Sequence, residues 1–138
     1  MNILILYLFL LPIAKPVPTP TMPVKVDSIV KIVNEVRAEN GCKIPLKENS
    51  ALILAAEERA DYVSAGHWYH EGWIATVKKY YRYSFAGEVL ARDYTDDHQI
   101  VDAWLRSKTH REVLLNCAYR ETGIGREGTY TVQLFGKK

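Results

Sequence analysis

The chain has 138 residues, of which 48% are hydrophobic and 25% charged, a composition that is ordinary for one globular domain. Its formal net charge is only +2 and no cluster of lysine and arginine stands out, so nucleic acid is not an expected partner.

The N-terminal region differs from the rest of the chain. An apolar run extends from Ile3 to Leu11; it is shorter than the about 20 residues that span a bilayer, but it suits the apolar region of a secretory signal. Residues 1–14 are therefore predicted to be a signal peptide or, as the alternative, an uncleaved signal anchor. Residues 15–26 contain four prolines and are predicted to form an extended linker. The domain itself, residues 27–138, is then expected to be secreted or held at the cell surface.

Hydrophobic residues recur at helical spacing in three segments, residues 27–41, 49–66 and 96–108. Each segment opens with residues that can cap a helix, namely Asp27 or Ser28, Asn49 or Ser50, and Thr95 or Asp96. Residues 73–84 and 109–116 predict shorter helical pieces. The second helix is predicted to turn a set of apolar side chains toward the core: Leu52, Leu54, Ala55, Ala56, Ala60 and Val63.

The hydrophobic period changes near the C-terminus. Tyr130, Val132 and Leu134 alternate with polar residues, and Glu127-Gly128 supplies a turn, so residues 121–136 predict a β-hairpin. Helices followed by a terminal hairpin favour an α+β domain or an α/β/α sandwich.

The chain contains two cysteines, Cys42 and Cys117. Export permits a disulfide, and an even number of cysteines is consistent with one. Distance in space does not follow from spacing in sequence, so the residues alone leave both the bridged and the free state open.

Two histidines stand close together in the segment "HWYHE", as His67 and His70. Histidine and carboxylate side chains are a recurrent zinc set. The H-x-x-H spacing matches neither the H-E-x-x-H motif of metalloproteases nor its inverted form, so a local zinc site is a weak interpretation. An aromatic turn with polar residues around it is the alternative.

Ser107 and His110 are three residues apart and can be neighbours on one helical turn. The nucleophile elbow G-x-S-x-G is absent from the sequence, which argues against a serine hydrolase.

Glu88 lies in the apolar segment "FAGEVLA", where a carboxylate is costly to bury unless it is paired. It is therefore a candidate site residue, with a structural carboxylate bonded to backbone amides as the alternative.

Taken in order, the segments "NEVRAENG", "HWYH", "GEVLA", "WLRSKTHREVLL", "TGIG" and "YTVQLFG" resemble one family. It is the CAP superfamily of cysteine-rich secretory, antigen 5 and pathogenesis-related proteins, also called the SCP-like domain, and the likeness is to its short bacterial branch. The resemblance covers residues 28–136. It implies a three-layer α/β/α sandwich with an open cleft and a C-terminal hairpin.

The resemblance also implies a set of cleft residues. His70 and His110 match the two cleft histidines, and Glu88 matches the cleft glutamate, so these three are expected to hold zinc or another divalent cation. Ser107 takes the place of a second glutamate found in many eukaryotic members. His67 is then a bystander. The same resemblance implies a bridge between Cys42 and Cys117.

The function implied is that of a secreted or cell-surface binding module, whose His-Glu-His cleft takes a lipid, a peptide or a cell-wall component. One alternative is an interaction module that acts through its surface with an inactive cleft. The other is a metal-dependent hydrolase with Glu88 as general base, which is weaker because a glutamate that ligates the metal cannot easily also accept a proton. We therefore expect a monomeric binding module rather than an enzyme, with membrane contact only through an uncleaved N-terminal segment.

Overall fold

The computed structural model describes residues 27–138, so the predicted signal segment and linker lie outside the described residues. Five helices and four strands follow one another in this part of the chain: α1 (Ser28–Glu39), β1 (Lys47–Glu48), α2 (Ser50–Ser64), α3 (Trp73–Tyr80), β2 (Phe85–Ala91), α4 (Asp97–Arg106), α5 (Lys108–Leu114), β3 (Glu121–Glu127) and β4 (Tyr130–Lys137). Between residues 27 and 138 no helix has the length and apolar character needed to cross a membrane.

The three main helices begin where the sequence predicts them. The side chains of Asp27, Asn49 and Asp96 each accept a hydrogen bond from a backbone N–H in the first turn of the helix that follows. Such caps satisfy donors that have no partner inside the helix. Two residues beyond the end of α2, Gly66 adopts a φ of 111°, which a residue with a side chain rarely adopts. The chain turns there into the loop that carries His70.

The four strands form one sheet in the order β1-β3-β4-β2. Strands β3 and β4 pair antiparallel from Glu121↔Gly136 to Glu127↔Tyr130, which confirms the C-terminal hairpin. Strand β2 pairs antiparallel with β4 and forms one edge of the sheet, while the two-residue β1 pairs parallel with β3 at the other edge. The edge at β2 is where the candidate site lies.

Helices cover both faces of the sheet, which confirms the three-layer sandwich. Helices α1, α4 and α5 pack over one core, whose side chains from the strands are Val89, Ala91, Ile124 and Phe135. Helices α2 and α3 pack over the other core against Leu90, Val132 and Leu134. These strand residues alternate between the two faces, as the pleat of a sheet requires.

Helix α2 lies unusually close to strand β3. A Cβ atom placed on Gly123 or Gly125 would overlap the backbone of α2, so only glycine permits this approach. The prediction that Leu54 faces the core is wrong, because its side chain is 52% exposed. The inner face of α2 uses another residue, Arg59, which is 1% exposed.

A disulfide joins Cys42 to Cys117 with a Cα–Cα distance of 5.1 Å, as the resemblance implies. It ties the loop after α1 to the segment after α5. Nearby, the buried Arg37 donates to the carbonyls of Leu114 at 2.7 Å and Asn116 at 2.9 Å. Residues 27–138 thus contain a four-stranded sheet, two cores and a covalent bridge, and we infer that this part of the chain folds on its own.

Candidate functional site

The candidate site lies at the edge strand β2, between the loop of residues 65–72 and helix α5. Glu88 projects from β2, His70 comes from the loop, and His110 comes from α5. The Nδ1 atom of His70 lies 3.0 Å from Oε1 of Glu88, and the ring centroids of His70 and His110 are 6.5 Å apart. The fold therefore brings together three residues that are far apart in sequence.

Glu88 is held by a residue that the sequence analysis did not single out. Nε of Arg59 donates to Oε2 of Glu88 at 2.7 Å, and Nη2 donates to Oε1 at 3.0 Å. The two side chains are 1% and 0% exposed. The alternative prediction, that backbone amides bind this carboxylate, is therefore wrong. The main partner of Glu88 is the guanidinium of Arg59, whose two parallel donors match the two carboxylate oxygens.

Arg59 also fixes the loop that carries His70. Its Nη1 donates to the carbonyl of Glu71 and its Nη2 to the carbonyl of Tyr69, both at 3.0 Å. The guanidinium is thus bonded to residues on both sides of His70. In the tautomer of His70 that carries its proton on Nδ1, this nitrogen donates to Oε1 of Glu88 and Nε2 is left as an acceptor.

Glu88 does not fit the expected role of a third metal ligand. Both of its oxygens accept from Arg59, and a cation placed there would be repelled by the guanidinium beside it. Across residues 27–138, no group of three or more histidine, cysteine, aspartate or glutamate side chains is arranged to hold a metal ion. What the arrangement resembles is a carboxylate that orients a histidine from behind. Binding of zinc or another divalent cation by His70 and His110 alone stays a prediction.

His110 is shared by two adjoining cavities of about 310 Å³ each. The first lies beside His70, and its other walls are Trp73, Gly87, Glu88, Thr109, Val113 and Tyr119. The second is lined by Trp68, Leu90, Arg92, Tyr94, Trp104 and Ser107. We call the two together the histidine groove.

Ser107 therefore lies in the second cavity, whereas His70 and Glu88 line the first. The hydroxyl of Ser107 is 3.2 Å from that of Thr109.

Burial, and to a smaller extent the nearby His70, lower the pKa of His110 below its usual value. The ring at the centre of the histidine groove is consequently neutral at pH 7, and it offers one donor and one acceptor.

Tyr119 is a second residue of the groove that the sequence analysis missed. Its ring packs over Gly87, where an added Cβ would lie 2.9 Å from Cζ of the tyrosine. The glycine before Glu88 is therefore needed for space, and its φ is not in the left-handed region. Burial raises the pKa of the Tyr119 hydroxyl. His67 stacks instead on Tyr62 with ring centroids 4.2 Å apart, and it lines neither cavity of the groove.

Comparison with solved structures shows the same fold in bacterial proteins. A SCP-domain extracellular protein from Bacillus anthracis str. Ames matches with a TM-score of 0.73 at 20% identity, over 80% of this chain and 39% of that one. A cysteine-rich secretory protein from Staphylococcus aureus subsp. aureus Mu50 matches with a TM-score of 0.73 at 26% identity, over 80% and 37%. An outer surface protein from Borrelia burgdorferi matches with a TM-score of 0.71 at 24% identity, over 80% and 90%.

Sequence comparison points the same way. The uncharacterized membrane protein YlbC of Bacillus subtilis (strain 168) is 42% identical over 53 residues, which are 38% of this chain but only 15% of that protein. This chain thus spans a small part of that relative and about two fifths of the first two structures. The family model of the cysteine-rich secretory proteins, CAP, matches residues 30–135, which include both histidines of the groove, Glu88 and both cysteines. The chain belongs to the cysteine-rich secretory protein (CAP) family.

Proposed function

We propose that this CAP domain is an extracellular binding module that takes a cell-wall glycan in the histidine groove. Its location outside the cell is supported by the predicted signal in residues 1–14 and by the similar structures, which include an extracellular protein and an outer surface protein. The observation that carries the proposal is the pair of cavities that meet at His110.

The lining of the groove fits a sugar better than the other ligands expected for this family. Three aromatic side chains, Trp68, Trp73 and Tyr94, stand beside hydroxyls and imidazoles. A pyranose presents flat C–H faces that pack on aromatic rings and hydroxyls that exchange hydrogen bonds with neutral polar groups. Two cavities in a row can take adjacent units of a linear polymer.

The geometry favours binding over hydrolysis. A general base must reach the proton that it removes, either directly or through one water. Both oxygens of Glu88 already accept from Arg59, so this carboxylate serves to hold the site together. The CAP domain therefore is proposed to bind its ligand without turnover.

Calorimetric titration of residues 27–138 with soluble glycan fragments from peptidoglycan tests the proposal. His110→Ala should weaken binding by about tenfold, the effect of losing one or two hydrogen bonds. His98→Ala is the matched control, since His98 is exposed on α4 and lies outside the groove. Binding that His110→Ala leaves unchanged, or saturation by a wall peptide or lipid but not by the glycan, would contradict the proposal.

A zinc titration of the same protein tests the two-histidine site. We expect binding to disappear in His70→Ala and in His110→Ala, and to persist in His67→Ala because His67 is stacked on Tyr62. Heat release that survives in both groove variants would place the metal elsewhere on the domain.

A further inference from the structure

Another cavity, with different chemistry, lies at the end of the sheet where β3 begins and β4 ends. It has a volume of about 420 Å³ and is lined by Ile44, Pro45, Lys47, Arg120, Lys137 and Lys138, with Glu121 at its side. We call it the basic groove. It shares no residue with the histidine groove.

The four cations of the basic groove outnumber its one side-chain carboxylate, that of Glu121. Within residues 27–138, none of Lys47, Arg120, Lys137 and Lys138 takes part in an ion pair. The one acid present, Glu121, accepts hydrogen bonds from Tyr81 and Asn49, so its oxygens are turned to those partners. The side chains that line the groove therefore carry a net positive charge, which can attract an anionic partner.

An apolar side chain stands among these charges. Ile44 is 50% exposed, and Lys43 and Lys47 flank its loop in sequence. Both ends of this loop are fixed. Cys42 is bridged at one end, and at the other end the backbone of Leu46 forms hydrogen bonds of 2.8 and 3.0 Å with the side chain of Asn34. Ile44 is therefore held in an exposed position.

Charge and apolar exposure together identify the partner. A soluble polyanion gains from the cations but nothing from Ile44. A bilayer interface with anionic lipids gains from both, because headgroups attract the lysines while an apolar side chain enters the boundary of the acyl region. We propose that the basic groove is a docking surface for a membrane that contains anionic lipid, with Ile44 seated in the interface.

This proposal concerns a site other than the histidine groove and does not depend on what that groove binds. It also goes beyond the expectation that only the N-terminal segment contacts a membrane. Docking through the basic groove would fix how the domain is oriented on the surface. Lys137 of this groove pairs with Phe85 at the start of β2, so the strand that carries Glu88 would begin near the membrane.

Co-sedimentation with vesicles tests the proposal, using oxidised residues 27–138 so that the N-terminal segment does not contribute. Vesicles made of equal parts phosphatidylcholine and phosphatidylglycerol should bind the domain, and vesicles of phosphatidylcholine alone should not. Lys137→Gln with Lys138→Gln should weaken binding by about fivefold per charge removed. Ile44→Ser should weaken it by about tenfold.

The chain offers matched controls for both kinds of variant. Leu54→Ser removes an apolar side chain of similar exposure, 52%, from α2, and Lys31→Gln removes an exposed cation from α1. Neither should change binding, and melting curves should show that every variant is folded at the assay temperature. Failure of the anionic vesicles to bind would overturn the proposal. An Ile44→Ser variant that binds the vesicles as well as the wild type would also overturn it. If inorganic polyphosphate then competed with the vesicles, the groove would be a site for soluble polyanions.

Discussion

Replacing Arg59 with methionine would leave the Glu88 carboxylate buried without its cation. The pair is almost fully removed from solvent, with side chains 1% and 0% exposed. Breaking such a pair by removing one partner typically costs about 3–5 kcal/mol, since an uncompensated charge stays in the interior. For a domain of this size, that cost corresponds to a fall in Tm of roughly 12–20 °C.

Urea denaturation of residues 27–138 with the disulfide intact measures this cost in a double-mutant cycle. We expect Arg59→Met and Glu88→Leu each to be strongly destabilising. The double variant should recover much of the loss, because replacing both partners of a buried pair by apolar groups is often close to neutral. Lys79→Met is the matched control, since its pair with Glu58 is at the surface and its removal should change stability little.

The same variants separate the structural role of the pair from its effect on the histidine groove. Arg59→Met also removes the bonds to the carbonyls of Tyr69 and Glu71, so backbone amides of residues 67–72 should exchange hydrogen faster. The double variant should have a lower ligand affinity than the wild type even if its stability is recovered, because neither Arg59 nor Glu88 is then present to orient His70. A loss below about 1 kcal/mol in Arg59→Met, or additive effects in the cycle, would refute the reasoning.

Three further outcomes follow from the fold. Replacing Cys42 and Cys117 with serine should lower the free energy of unfolding by about 4 kcal/mol, because the bridge closes a loop over 75 residues of separation, and urea denaturation checks it. Gly125→Ala should lower the Tm by at least several degrees and perturb α2, since the added methyl group meets the helix backbone; unchanged melting would contradict the close packing. Burial raises the pKa of Asp97, but hydrogen bonds from Ser28 and Arg126 outweigh it and leave the pKa below its usual value. The native state therefore gains stability from Asp97 above about pH 4 and loses it as the pH falls further, a loss that Asp97→Asn should lack in acid titrations of Tm.

Local patterns in the sequence predicted most of the elements. The caps and the apolar spacing located α1, α2 and α4, and the alternation after residue 121 located the hairpin. Strand β1 was not predicted, because its two residues, Lys47 and Glu48, carry no apolar alternation. Its pairing comes from distant groups, with Lys47 N–H donating to the carbonyl of Arg120 and Asn49 N–H to that of Thr122.

The candidate site was predicted only in part. The family resemblance pointed to His70, Glu88 and His110, whose proximity no local pattern reveals. Arg59 was missed, although its position was readable: it lies seven residues after Leu52 and four before Val63, on the apolar face of α2. An arginine on a buried face requires an acidic or carbonyl partner, and Glu88 was the one carboxylate already noted in an apolar segment. Joining the two would have identified the pair and argued against Glu88 as a metal ligand.

The disulfide has a consequence for how the domain would respond to a protease. The chain between Cys42 and Cys117 includes helices α2 to α5, strand β2 and the loop that carries His70, where Tyr69 is 73% exposed. Exposed loops are the preferred points of proteolytic cleavage. A cut in this loop leaves two fragments that stay covalently joined through the bridge and interleaved in one sheet. Proteolysis at the rim of the groove would therefore produce a nicked domain that separates only after reduction and unfolding.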